Sequence, residues 1–277
     1  MSPSVANPLF RFGSEVYTWF MKEDGRANAN KLDHMIQVIA EAGYRGVEPI
    51  HFWMGDLVDA ARLAESLKKA GIELAGISLV LNWNQDGETD QERAEADRTI
   101  DLLKQFPGGV LGTVQMPTGR VEVRERQRRL VRNLNEVARR AADAGVPCSF
   151  HPNSPPSSIA RTREDYEILL GGLDREVIGW TPDVGHIANA GMDPLATMQQ
   201  YAELINHVHY KDWDGNPEFA LMGEGKVNFL GITRWLRDRG YAGWIICEDE
   251  AHAAVDDPDG VTLRDGEWVR TKLIPSL

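Results

Sequence analysis

Short runs of β-branched and aromatic residues alternate with longer amphipathic stretches along almost the whole chain, and that alternation restricts the fold more than any other feature. The expected strands are Phe12–Thr18, Gly46–Phe52, Glu73–Leu81, Val110–Met116, Cys148–Asn153, Ile178–Val184, Ile205–Lys211 and Trp244–Glu248. Helical period fills the intervals at Lys31–Ala42, Leu57–Ala70, Asp90–Gln105, Glu122–Ala144, Arg163–Leu170, Pro194–Leu204 and Phe229–Arg239. Glycine closes several of these stretches, as in Ala42-Gly43-Tyr44, Ala70-Gly71-Ile72, Ala144-Gly145-Val146 and Arg239-Gly240-Tyr241, where a helix ends and the chain turns into a strand. Repeated strand–helix units give a parallel sheet. Eight of them in 277 residues close into an α/β fold of the (β/α)8 TIM-barrel type, for which about 250 residues is ordinary; an open doubly wound sheet is the competing arrangement. No Gly/Ser linker or low-complexity tract interrupts the pattern, so residues 1–277 are expected to form one domain. Ala251–Glu267 is acidic and polar, so the eighth helix is expected to be weak and the C-terminus to lie loosely.

Charge narrows the partners. With 42 Asp+Glu against 30 Lys+Arg, the net charge of −12 repels a phosphate backbone, and no nucleic-acid partner is expected. The one basic stretch, Arg124–Arg140, reads as the solvated face of a single helix. Neither a run of about 18 apolar residues nor a basic segment leading into an apolar one is present, so no membrane is expected either. Cys148 and Cys247 sit in apolar runs and read as buried free thiols, which points to a reducing, cytoplasmic setting.

In a barrel of this kind the reacting groups lie at the C-terminal ends of the strands. The second expected strand ends in Gly46-Val-Glu48-Pro-Ile-His51, the fifth in Ser149-Phe-His151-Pro-Asn153, and the sixth in Thr181-Pro-Asp183-Val-Gly-His186. The seventh ends in His207-Val-His209-Tyr-Lys211-Asp212 and the eighth in Cys247-Glu248-Asp-Glu250. A single His or Asp there is most often structural. Four adjacent strands that each present one, about 4.8 Å apart, can bring His151, Asp183, His209 and Glu248 to one divalent ion. His209 is preferred to the deeper His207, and Glu248 to the loop residue Glu250. Nitrogen and oxygen donors without thiolate exclude a closed structural zinc site; manganese is expected first, with magnesium, cobalt and zinc as alternatives.

These segments, together with Ala42-Gly-Tyr-Arg-Gly-Val-Glu48, Ala190-Gly-Met-Asp-Pro194 and Met222-Gly-Glu-Gly225, run in order through nearly the whole chain. They resemble the sugar isomerase/epimerase barrels related to xylose isomerase, with their epimerase, dehydratase and keto-glycoside-cleaving branches. The resemblance implies that Asp183, His209 and Glu248 bind the metal and that His186 and Lys211 reach the substrate's oxygens. Epimerases of the family carry Glu on the fifth strand, where this chain has His151, and that departure weakens a symmetric two-carboxylate epimerase.

The expected activity is therefore that of a metal-dependent isomerase or epimerase, or else a lyase, acting on a keto-sugar or related polyol through an enediolate. His151 is the candidate base, with Glu248 and Lys211 as further catalytic groups. Glu48 is expected to bind a sugar hydroxyl. Tyr17, Trp19, Trp53 and Trp83 fall at strand ends where rings either stack on a sugar or pack. The expected partner is a small-molecule carbohydrate, with a second copy or a different subunit as a further one. An apurinic-site endonuclease shares this barrel type but needs three zinc ions and a basic surface, and seven histidines in a chain of net charge −12 do not suit it. A barrel that binds sugar without turnover is the other alternative.

Overall fold

Every expected strand forms, and the third divides in two. The computed structural model describes residues 10–21, 30–216 and 218–277. Its first half runs β1 (Arg11–Glu15), α1 (Tyr17–Phe20), α2 (Leu32–Glu41), β2 (Gly46–Glu48), α3 (Ala60–Ala70), β3 (Glu73–Leu74), β4 (Gly76–Leu81), α4 (Asp90–Leu103), β5 (Val110–Gln115) and α5 (Val123–Asp143). There follow β6 (Cys148–His151), α6 (Arg163–Gly172), β7 (Ile178–Trp180), α7 (Val184–Asn189), α8 (Pro194–Gln200), β8 (Val208–Tyr210), α9 (Phe229–Asp238), β9 (Trp244–Cys247), α10 (Ala253–Asp256) and α11 (Pro258–Trp268). The glycines after α2, α3, α5 and α9 (Gly43, Gly71, Gly145 and Gly240) all have positive φ, as their position at helix ends requires. The chain gathers into two compact units, Met1–Ala75 with Val208–Leu277, and Gly76–His207.

In the first unit the strands pair in the order β3-β2-β1-β9-β8, all parallel. The register sets Glu15 beside Glu48 and Ser14 beside Cys247, with Tyr210 beside Cys247 on the other flank. Gly46 is required by packing: a Cβ there would lie 2.6 Å from the buried Trp244 ring, which packs with Ala75 and Ile246. Arg11 covers the other side of that ring at 3.9 Å and pairs with Glu73 at 2.6 Å.

The C-terminal segment corrects an expectation. α11 is well formed: Asp257 caps it by accepting from Gly260 N at 2.9 Å, and Pro258 stands at its first turn. Gly266 lets the Ala42 carbonyl approach where any side chain would overlap it, and Val261, Val269 and Leu273 are buried. The acidic composition of this stretch hides a helix whose contacts are made through a glycine and widely spaced apolar residues.

The second unit holds the parallel sheet β4-β5-β6-β7. α5 buries Leu130, Leu134, Val137, Ala138 and Ala141, a stripe of helical period. Its arginines are not merely solvated. Arg126 is buried and donates to Asn84 at 3.0 Å, Arg139 pairs with Asp174 at 3.0 Å, and Arg140 bridges Glu88 at 2.6 Å and Asp97 at 2.8 Å. Both cysteines are free and buried, and burial pushes the Cys148 thiol up to about 12. Among the described residues no helix is long and apolar enough to cross a membrane.

α6 begins with a capping box, in which Thr162 Oγ1 accepts from Asp165 N and the Asp165 carboxylate accepts from Thr162 N. The same carboxylate receives Arg120 at 2.7 Å and Gln127 at 2.7 Å. Burial by itself would raise its pKa, but Arg120 and the backbone N–H groups of Thr162 and Arg161 hold it below the usual aspartate value. A depressed folded pKa contributes stability that is present above the unfolded value and lost as pH falls through the folded one. Asp165→Asn should therefore cost about 2 kcal/mol at neutral pH. Urea unfolding of both proteins should show the difference shrinking as pH drops below about 4.

Candidate active site

Parallel register builds the first cluster. Glu48 and Glu15 are paired neighbours, and one residue past the Ser14–Cys247 and Tyr210–Cys247 pairs come Glu248 and Lys211. Glu48, Glu15, Glu248 and Lys211 thus occupy one level of four adjacent strands, and all are buried. His209, two residues before Lys211, joins them: its Nδ1 lies 3.0 Å from a Glu248 oxygen and its Nε2 3.4 Å from Glu48. Lys211 Nζ donates to the other Glu248 oxygen at 2.8 Å and also to Glu250, and lies 5.0 Å from the centre of the Phe219 ring.

Burial, with the Glu248 and Glu48 carboxylates, pushes Glu15 well above the usual glutamate pKa. Burial also raises Glu250, to about 8, against the pull of Lys211. For His209 burial alone would lower the pKa, but Glu48 and Glu248 more than reverse it. The cluster holds more carboxylate than cation and favours positive charge.

The second unit contributes another cluster at the ends of β6 and β7. Asp183 caps α7, its Oδ1 accepting from His186 N at 2.8 Å, while its Oδ2 lies 3.6 Å from His151 Nε2 and 3.9 Å from His186 Nε2. The two imidazoles meet edge to face, with centroids 5.8 Å apart. Ser154 Oγ lies 2.8 Å from His186 Nδ1. His207 is buried just before β8.

The aromatic expectations divide. Trp19 is 4% exposed, with its indole N–H donating to Asp259 at 2.7 Å, and Trp53 is 1% exposed against Phe20. Trp83, at φ 56°, is held by Glu92, Val114 and Asn133. All three rings are buried and packed against their neighbours. Tyr17 is half-buried beside Glu250 and Lys211, and Phe52, after β2, is 47% exposed.

Asp212, known from the sequence only as part of a motif, organises a loop. Its two oxygens accept from the backbone of Trp213 at 2.8 Å, Gly223 at 2.9 Å, Gly225 at 2.8 Å and Val227 at 3.2 Å, which explains Met222-Gly-Glu-Gly225: a side chain at 225 would overlap the carboxylate. Sequence reading also passed over Glu15 and Ser154. Glu15 sits in the middle of what reads as one strand, and Ser154 carries no local signal.

Each cluster offers a buried imidazole beside a buried carboxylate, His209 with Glu248 and His151 with Asp183. Donors sharing an ion at about 2.0–2.2 Å stand about 3.0–3.5 Å apart, close to the 3.0 Å and 3.6 Å observed. Donor chemistry, spacing and the carboxylate excess all fit a divalent cation.

The sequence model of the xylose isomerase-like TIM barrel family matches residues 36–272. The chain belongs to this family. Its fold is the α/β barrel class expected from the strand count. Among relatives, an inosose dehydratase of Clostridium beijerinckii is 23% identical over 271 residues, which span 88% of this chain and 90% of that protein. Among solved structures, the D-psicose 3-epimerase of Clostridium cellulolyticum H10, crystallised with D-tagatose, superposes with a TM-score of 0.75 at 15% identity, covering 95% of this chain and 99% of that one. The IOLI protein with a bound zinc atom does so with a TM-score of 0.74 at 15% identity, covering 96% and 98%. At these identities the structural likeness establishes the fold.

Elemental analysis of protein dialysed against dilute chelator tests the ligands. His209→Ala and Glu248→Gln should each lower bound divalent metal to background while the wild-type protein retains it; full occupancy in both variants would remove them from the ligand set.

Proposed function

We propose that this chain is a single-domain, divalent-metal-dependent lyase that eliminates water, or a comparable β-substituent, from a keto-sugar or keto-polyol. The observation that carries the reading is the buried Lys211–Glu248 pair at 2.8 Å, a proton donor and a proton acceptor side by side. His151, Asp183, His209 and Glu248 are the proposed ligands. A bound divalent cation supplies Lewis-acid polarisation of a substrate carbonyl oxygen, which acidifies the neighbouring C–H. The zinc atom in the IOLI protein supports a metal at such a site.

His151 decides among outcomes. An imidazole that gives its lone pair to a cation is no longer a base. Epimerisation needs proton transfer on both faces of one carbon, and with His151 so engaged the strand-five base is missing. Elimination needs less. Glu248 has a second oxygen, the one facing Lys211 rather than His209, and takes the α-proton there; the C–O bond to the β-carbon breaks, and Lys211 gives a proton to the departing hydroxyl, so water leaves and a C=C bond forms. Transfer of the proton from Glu248 to Lys211 across 2.8 Å then restores both groups. His186 donates to a substrate oxygen, and Glu48 and Tyr17 are the candidates for hydroxyl recognition. The relative named inosose dehydratase supports a reaction of this kind.

Incubating the manganese-loaded protein with inosose and with keto-hexoses in D₂O, followed by NMR, tests the proposal. The expected result is an unsaturated product, abolished by EDTA and restored by Mn²⁺. Lys211→Ala should lower turnover by about 10²–10⁴-fold with metal content unchanged, and His151→Ala should lower turnover and metal content together. An inverted sugar with no unsaturated product would replace elimination by epimerisation, and no α-proton exchange with any substrate would favour a binding role.

A further inference from the structure

We infer that Ser154 is a positioning residue that fixes the tautomer and ring orientation of His186, so that Nε2 carries the proton presented to the substrate. The inference rests on the reading of His186 as the side chain that donates to a substrate oxygen.

The geometry has three parts. First, Ser154 Oγ lies 2.8 Å from His186 Nδ1, and both residues are buried, so water does not stand in for the hydroxyl. Second, the opposite ring nitrogen faces negative charge, since His186 Nε2 lies 3.9 Å from Asp183 Oδ2. An imidazole that presents its proton on Nε2 has a bare Nδ1, which then accepts from the serine hydroxyl.

Third, Ser154 cannot drift. The loop between β6 and α6 is tied on every side: Asn153 donates to Gln115 O at 2.8 Å, Gly119 N to Ser157 O at 3.0 Å, and Arg120 to Ser158 O at 2.6 Å. Gln127 donates to Ile159 O at 2.8 Å. Arg120 and Gln127 are also the partners of Asp165, so the capping box of α6 and the placement of Ser154 belong to one network. His186 is held from the other side, its backbone N–H donating to Asp183 Oδ1. The imidazole is therefore clamped between a fixed hydroxyl and a fixed carboxylate.

Histidine-selective ¹⁵N labelling of the full-length, zinc-loaded protein, with long-range proton–nitrogen correlation at neutral pH, tests this. Wild-type His186 should show a protonated Nε2 and a bare, hydrogen-bonded Nδ1. In Ser154→Ala the Nδ1 resonance should move toward the value of a nitrogen with no hydrogen bond, and Ser154→Thr, which keeps a hydroxyl, should restore it. On a turned-over substrate Ser154→Ala should lower kcat/KM about tenfold, the loss of one hydrogen bond, with Ser154→Thr recovering most of it. A wild-type proton on Nδ1, or an Nδ1 resonance unmoved in Ser154→Ala, would overturn the inference. If Ser154→Ala fails to fold, the wild-type and Ser154→Thr spectra decide it. The expected spectra without turnover of any keto-sugar would leave the Ser154 assignment standing and sink the lyase reading instead.

Discussion

In-register parallel pairing places side chains of the same level on neighbouring strands about 4.8 Å apart, whatever their charge. In the sheet of the first unit that rule aligns Glu48, Glu15 and Glu248 and sets Lys211 at the end of the row. Carboxylates so close and so buried cannot all ionise without compensation. Glu15 and His209 respond with raised pKa values, and Lys211 donates to Glu248. Apolar residues such as Val47, Ile245 and Ile246 sit just before these carboxylates on the same strands, so the sheet supplies the rigid support that the charged end does not.

The second unit meets the same problem with different groups. Asp183 is satisfied on one oxygen by the helix it caps and faces two imidazoles with the other. Because one residue both starts α7 and faces the histidines, helix position and site geometry are the same constraint. The sharing extends outward, where Asp165 completes the capping box of α6 and anchors Arg120, which holds the loop that carries Ser154.

Much of this was legible in the sequence, for local reasons. Period-two apolar runs and helix-ending glycines are local signals, and they located the strands, most helices and the polar strand ends where His151, Asp183, His209 and Glu248 lie. What escaped depends on distant partners or on boundaries. Glu15 was hidden because Phe12–Thr18 reads as one strand with the glutamate in its middle, whereas the strand stops at Glu15 and Tyr17–Phe20 turns helical. Arg139 and Arg140 of α5 read as solvated because their acids, Asp174, Glu88 and Asp97, come from elsewhere in the chain. Trp19 and Trp53 sit where a sugar-stacking ring would, and their neighbours Asp259 and Phe20 come from elsewhere in the chain. α11 looked weak by composition because its close contact is made through Gly266, which contributes nothing to hydrophobic periodicity.

The carboxylate of Asp212 has a bearing on how such a protein can change. Four backbone N–H groups converge on it, two of them from the glycines of Met222-Gly-Glu-Gly225, so the loop's closure is written in main-chain bonds. Ala220 bridges back to Asp212, and Phe219, over Lys211, bridges to Ala251. One carboxylate, adjacent in sequence to Lys211, therefore ties the loop to the end of the strand that carries the lysine, so a substitution at Asp212 would loosen both together.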